Sequence, residues 1–224
     1  KLDATAPGLT VTSWPSSDYV NLPDNDIYRV KGNASDEVGG SGLNDVRYIV
    51  KAGDVAAPDA ADPDWKSAAG LNPWTANVDM SNKASGVYSL YIMARDTAGN
   101  SSVTAKKLIY ADTAAPTITP AALTAPKIFN TGFTLTGTAN DSSDAFGSVV
   151  SVTARANGSI NLAADTGHTP DTWKFKVPAG TETGAISDGK VDVVFTVADG
   201  SGKTNTASVN FTLDTAAPEL SFTN

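Results

Sequence analysis

Short runs of alternating apolar and polar residues dominate the chain. In residues 26–36, DIYRVKGNASD, Tyr28 and Val30 alternate with polar neighbours, and Phe133 and Leu135 do the same in residues 131–141, TGFTLTGTAND. A period of two is that of a strand with one face buried. It returns in residues 86–100, GVYSLYIMARDTAGN, where Tyr88, Leu90, Ile92 and Ala94 share a face. It returns again in residues 189–203, GKVDVVFTVADGSGK, where Val191, Val193, Phe195 and Val197 do. Turn residues interrupt these runs roughly every 8 to 12 positions, the spacing of a β-sandwich. No long window carries apolar residues at helical spacing, so the chain is predicted to be all-β.

The runs occur twice, in the same order. Asp3, Asp112 and Asp214 open three near-copies of one stretch, DATAP, DTAAP and DTAAP, spaced 109 and 102 residues apart. Between the copies, Gly-x-Ala-x-Asp recurs as Gly32, Ala34 and Asp36 and as Gly137, Ala139 and Asp141. Trp-x-x-x-Val recurs at Trp74 and Trp173, and Asp-x-x-Gly recurs at Asp96 and Asp199. Repeated order at this period predicts two tandem immunoglobulin-like antiparallel β-sandwiches of about seven strands each. Their expected bounds are 1–113 and 114–217, with 218–224 starting a following repeat or linker. The three copies are then seams. Asp shapes the turn, and Pro, which lacks an N–H, stiffens the junction.

The seam, together with GNASDEVGGSGLNDV and ARDTAGN, resembles the bacterial immunoglobulin-like repeats of large surface proteins and adhesins. The resemblance covers nearly the whole chain. It implies a secreted or surface-attached parent built from many such domains, acting as a stalk. In several subfamilies it implies Ca²⁺ at the junctions. Two features depart between the units. The second has SSDAFGS where the first has EVGGSG, and it lacks Tyr88, which stands where such sandwiches form a tyrosine corner.

Composition removes several kinds of chemistry. A formal net charge of −8 disfavours nucleic acid as a partner and favours cations. There is no cysteine, hence no disulfide, thiolate metal site or Cys nucleophile. No apolar run is long enough to span a membrane, so no membrane insertion is expected of this piece. The chain lacks an initiator Met and a signal peptide and reads as a fragment. His168 sits in a polar stretch without a counterpart and reads as a surface residue. No nucleophile elbow, phosphate loop or zinc-protease motif occurs. The chain is expected not to be an enzyme and to require no cofactor.

Calcium is the sharper candidate. Ca²⁺ takes six to eight oxygens, and acids in turns clustered at the ends of a sandwich supply them. In the first unit the candidates are Asp36, Glu37, Asp96 and Asn100 with the seam residue Asp112. In the second they are Asp141, Asp199 and Asp214. The alternative is that these residues only shape turns. The stretch between Gly53 and Pro73 is an acidic, Pro-rich insertion carrying Trp65. Trp65 is expected to cover the sandwich edge, with contact to a glycan or partner protein as the alternative.

The function expected from these features is structural. The units would be monomeric spacer repeats of an extracellular or cell-surface adhesin-type protein, projecting a distal binding region, with neighbouring repeats as partners. The alternatives are a module binding a glycan or host protein through the insertion, and accessory domains of a secreted carbohydrate-active enzyme.

Overall fold

The structure, a computed structural model, describes residues 2–22, 26–104, 106–141 and 148–221. Most of SSDAFGS lies outside the described residues. Every regular element among the described residues is a strand. The chain divides into two compact units, the first ending at Thr113 and the second opening at Ala114.

The first unit has β1 (Gly8–Ser13), β2 (Tyr19–Asn21), β3 (Ile27–Ser35), β4 (Leu43–Ala52), β5 (Lys66–Ser67), β6 (Trp74–Asp79), β7 (Gly86–Asp96), β8 (Ser101–Val103) and β9 (Lys107–Asp112). One sheet runs β1-β3-β6 and the other β2-β9-β7-β4-β5, with β8 beside β7. The second unit has β10 (Thr117–Pro120), β11 (Ile128–Phe129), β12 (Phe133–Asn140), β13 (Val149–Ala156), β14 (Ile160–Asn161), β15 (Thr172–Val177), β16 (Gly189–Asp199) and β17 (Thr204–Leu213). Its sheets run β10-β12-β15 and β11-β17-β16-β13-β14. Apart from β8, the two orders are the same. Among the described residues each unit has six strands of four or more residues, where about seven were expected, with two or three shorter pieces beside them. Pro15, and Pro120 with Pro126, fall where the opening strand of each unit breaks and its second piece joins the other sheet. The short β5 and β14 extend one edge.

Period-two burial follows the sequence pattern. Along β3 every second residue is buried, Tyr28, Val30, Gly32 and Ala34. The first core gathers Val30, Trp74, Leu90, Ile92 and Ile109, and the second gathers Trp173, Phe195, Val197 and Leu213. Each such side chain contributes about 1.5–3 kcal/mol of burial.

The repeated glycine has a packing reason. Gly32 lies directly across from Trp74 in the β3–β6 register, and Gly137 directly across from Trp173 in β12–β15. A Cβ at Gly32 would stand 2.3 Å from Cζ2 of Trp74 and 2.1 Å from the Thr10 carbonyl oxygen. At Gly137 the same contacts would be 2.1 Å to Trp173 and 2.5 Å to Thr119. The indole lies over the bare backbone, so each half of the motif requires the other.

Tyr88 forms the corner that its position suggested: its hydroxyl donates to the Ala84 carbonyl at 2.9 Å while the ring stays in the core. Tyr88→Phe is expected to destabilise the first unit by about 1 kcal/mol, the net worth of one such hydrogen bond. Denaturant melts of the full chain check this. The second unit has Val191 there, which has no hydroxyl to donate.

Candidate functional site

The acidic residues collect at the end of the first unit where the chain enters β1. β1 and β3 are antiparallel, with Gly8 opposite Ser35. Residues just before Gly8 are thereby brought beside those just after Ser35. β4 and β7 are antiparallel, with Leu43 opposite Asp96, which adds the turn after β7. Asp3, Asp36 and Asp96 each place a carboxylate oxygen within 4.8 Å of the other two.

Local hydrogen bonds hold the three in place. Asp36 accepts from the Glu37 N–H at 2.9 Å and the Gly42 N–H at 2.6 Å. Asp3 accepts from the Ser41 N–H at 2.6 Å, which ties the entering stretch to the 36–42 loop. Asp96, buried at the end of β7, accepts at one oxygen from the Asn100 N–H and at the other from the Asn100 side-chain amide, both at 2.8 Å. Asn100 also donates to the Asp3 carbonyl at 3.2 Å. Gly40 leaves room for Asp36, since a Cβ there would fall 2.6 Å from its Oδ2. Neither Asp36 nor Asp96 forms an ion pair among the described residues.

This arrangement differs from the expected set at three positions. Asn100 presents its NH₂ group to the carboxylates and orients Asp96 instead of offering an oxygen. Glu37 is exposed and lies outside the three-carboxylate group, meeting Asp36 through its backbone N–H. Asp112 ends β9, whose residue Ala111 pairs with Gly86 at the start of β7. It therefore stands a β7 length, about 33 Å, from Asp96. The seam that joins these loops is the preceding one, through Asp3. Strand direction decides this, and no motif in the sequence carries it.

The second unit repeats the arrangement. Asp199 ends β16 and is buried, and Asp141 follows β12 half-buried. Asp199 Oδ1 accepts from the Ser201 N–H at 2.9 Å, the Ser201 hydroxyl at 2.8 Å and the Lys203 N–H at 2.9 Å. Its Oδ2 is buried and accepts no hydrogen bond among the described residues. Asp214 lies beyond Leu213, which pairs with Gly189 at the other end of β16. It is exposed and is not brought to Asp141 and Asp199.

Two oxygens 2.4 Å from one ion lie at most about 4.8 Å apart, so the carboxylates of Asp3, Asp36 and Asp96 fit the inner shell of a single Ca²⁺. Each hydrogen-bonded oxygen of Asp36 and Asp96 keeps a lone pair for a metal.

Residues 112–212 match the family model of the bacterial Ig domain. The matched stretch covers most of the second unit. The first shares its strand order, so the chain is a tandem of Ig-like β-sandwiches. Among solved structures, the fibronectin(III)-like modules of Clostridium thermocellum CbhA match 97% of this chain and 100% of their own, at 16% identity and a TM-score of 0.52. That likeness shows the fold alone. A tetra-tandem repeat from the extending region of a large adhesion protein matches 95% of this chain and 50% of its own, at 19% identity and a TM-score of 0.34. The SGBP-B of a Bacteroides ovatus mixed-linkage glucan utilization locus, solved with a heptasaccharide, matches 96% and 48% at 12% identity and 0.32. The last two scores are too low to carry an argument. No relative matches among curated proteins.

The insertion of the first unit carries β5 and, just ahead of it, Trp65. There Trp65 is buried, 7% exposed, in a small cluster with Ile49, Tyr91 and Met93 on the outer face of the β4–β7 sheet. Its indole N–H donates to the Asp59 carbonyl at 2.9 Å. Tyr91 donates to Val55 O at 2.7 Å, and Ser89 donates to Gly53 O at 2.8 Å. Lys51 pairs with Asp62 at 3.0 Å and Asp64 at 2.6 Å, and Lys106 pairs with Asp54. The Asp64 N–H first, and Lys51 second, hold the Asp62 carboxyl below its ordinary value. Trp65 is therefore packed into the scaffold, as a cover for the outer face of the sheet.

Proposed function

We propose that the chain is a non-catalytic, load-bearing spacer of an extracellular or cell-surface protein, projecting a distal binding region. The direction of the end strands carries this reading. In the first unit β2 runs parallel to the last strand β9, pairing Tyr19 with Tyr110, Val20 with Ala111 and Asn21 with Asp112. In the second, β11 runs parallel to β17, pairing Ile128 with Thr212 and Phe129 with Leu213. Tension between the ends of a unit pulls parallel partners in opposite directions along their length. Their hydrogen bonds then load together instead of opening one by one. These bonds include Leu22 N–H to Asp112 O at 2.8 Å and Thr212 N–H to Lys127 O and Asp214 N–H to Phe129 O, both at 2.9 Å. The entering stretch is also clamped, by the Ser102 hydroxyl on Pro7 O at 2.6 Å and the Asn205 amide on Pro116 O at 3.0 Å.

Single-molecule stretching of the full chain is expected to give two separate unfolding events, each releasing roughly 300–350 Å, the contour of about 100 residues. Asp214→Pro removes a clamping N–H from an exposed position. It is expected to lower the unfolding force of one event and spare the other. Unchanged forces in that variant would sink the reading.

The acidic pole supports a second element, Ca²⁺ held by Asp3, Asp36 and Asp96. The observation favouring it is the convergence of three carboxylates, with a buried Asp199 oxygen that accepts no hydrogen bond among the described residues at the equivalent end of the second unit. When bound, the ion would supply positive charge against three carboxylates. Asn100, Ser41 and Gly42 do the orienting. Thermal midpoints in millimolar Ca²⁺ are expected to exceed those in chelator by several degrees, since an ion at 100 times its Kd adds about 2.7 kcal/mol. The gain should shrink in Asp36→Asn. Equal midpoints across millimolar Ca²⁺ would exclude the metal and leave the acids as turn formers.

A further inference from the structure

The two units differ at one place where comparison is direct. In the first, the edge of β4 is covered by the chain itself. Arg47 pairs with Ser67 and Tyr48 with Lys66, and the Ala68 N–H donates to Val46 O at 2.8 Å. Trp65, just ahead of this strand, lies over Ile49, Tyr91 and Met93.

The register carries each position into the second unit. Tyr48 faces Ile92 across the sheet, and Ala154 faces Phe195. Both strands carry a bulge one turn earlier, at Asn44 and at Val150. Val46 therefore corresponds to Val152, and Ile49, Tyr91 and Met93 correspond to Arg155, Val194 and Thr196. In the second unit the covering strand is displaced by two residues. β14 pairs with Arg155 and Ala156, and the Leu162 N–H donates to Ala154 O at 2.9 Å. Among the described residues nothing pairs with that edge at Val152.

An open groove of about 860 Å³ occupies this place. Arg155, Val194 and Thr196, the counterparts of the three residues under Trp65, all line it, with Val152 and Phe175 at its apolar floor. Val194 is 41% exposed, where its counterpart Tyr91 is 3%. The second unit thus has the recess that the first fills with its own strand and tryptophan.

We propose that this groove docks an extended segment of a partner polypeptide. The segment adds antiparallel to the β13 edge at Val152, the stretch that β14 leaves uncovered among the described residues, and seats an aromatic side chain over Arg155, Val194 and Thr196. Strand addition supplies the main-chain hydrogen bonds that an unpaired edge offers. Among the described residues Arg155 is the only charged side chain lining the groove, and its Nε donates to Asn161 Oδ1 at 2.9 Å. A planar cation there favours an aromatic ring and neighbouring carboxylates over a basic segment. The insertion of the first unit has this pattern, Asp62 and Asp64 beside Trp65.

The test titrates the ¹⁵N-labelled full chain with the nine-residue peptide DPDWKSAAG, the sequence of residues 62–70. Saturable shifts are expected at Val152, Thr153, Ala154 and Val194, and a peptide with Ala for Trp should bind at least about tenfold more weakly. Val194→Arg should abolish the shifts with an unchanged melting temperature. Thr153→Arg, on an exposed residue beside it, serves if the first variant melts early. No saturable shift at millimolar peptide overturns the proposal. So does a response confined to the first unit, or full affinity in a correctly folded variant. Sedimentation showing that a second copy of the chain already fills the groove overturns it as well.

Discussion

Gly32→Ala is expected to cost the first unit 3 kcal/mol or more, at or above the upper end of the about 1–3 kcal/mol usual for overpacking. The added methyl meets two groups that cannot both retreat. The Thr10 carbonyl at 2.1 Å belongs to the paired neighbour strand, and moving it breaks the β1–β3 ladder. The Trp74 ring at 2.3 Å is fully buried, and moving it opens the core. For a unit of this size a loss of about 3 kcal/mol lowers the melting temperature by roughly 12–24 °C, at about 4–8 °C per kcal/mol. Calorimetry of the full chain should show one transition falling and the other holding. Gly137→Ala should move the other transition, because Trp173 and Thr119 crowd that site in the same way. Gly8→Ala is the control. A methyl there meets Ser35 at 3.4 Å, ordinary contact, and should change stability by less than about 0.5 kcal/mol. A small effect at both Gly32 and Gly137 would mean that the motif marks a turn and not a Trp seat.

The same motif shows what a sequence reveals and where it stops. Gly-x-Ala-x-Asp and Trp-x-x-x-Val were both legible, because each repeats at fixed order. Their meeting was not, since cross-strand register is set by turns and bulges far from either. The acidic pole follows the same logic. Asp36 and Asp96 were legible as turn acids, but only the antiparallel β1–β3 pairing brings Asp3 to them and leaves Asp112 at the far end of β7. Alternation picked out Tyr88, Leu90, Ile92 and Ala94 as the core face of β7. It missed Tyr91 and Met93, which belong to the other face and are buried all the same. Nothing nearby in the sequence buries them. In β16, whose pattern is otherwise alike, the counterpart Val194 stays exposed.

Trp65 supplies that missing cover, and Trp65→Ala is expected to destabilise the first unit by about 3 kcal/mol, the lower end of the range for losing a buried Trp. The low end applies because the cluster holds only four side chains and lies on the outside of a sheet, where the insertion can settle part-way into the space. The change also leaves the Asp59 carbonyl without its donor. Amide exchange in residues 53–64 should accelerate more than exchange in β3 or β6, since the insertion opens before the sandwich does. Trp65→Phe should restore most of the packing but not the N–H bond, and so fall between. Low pH should loosen the same segment. The Asp62 carboxyl is held low in the folded chain, so its contribution is present above the ordinary carboxylate range and is lost as pH falls through the lowered value. A residue kept for ligand contact behaves in the opposite way, because truncating it costs affinity and leaves stability and exchange unchanged. A full-strength first-unit transition in Trp65→Ala would therefore return the insertion to the candidates for binding. A lowered one fixes it as part of the scaffold and leaves the uncovered counterpart of this surface, on the second unit, as the place to look for a partner.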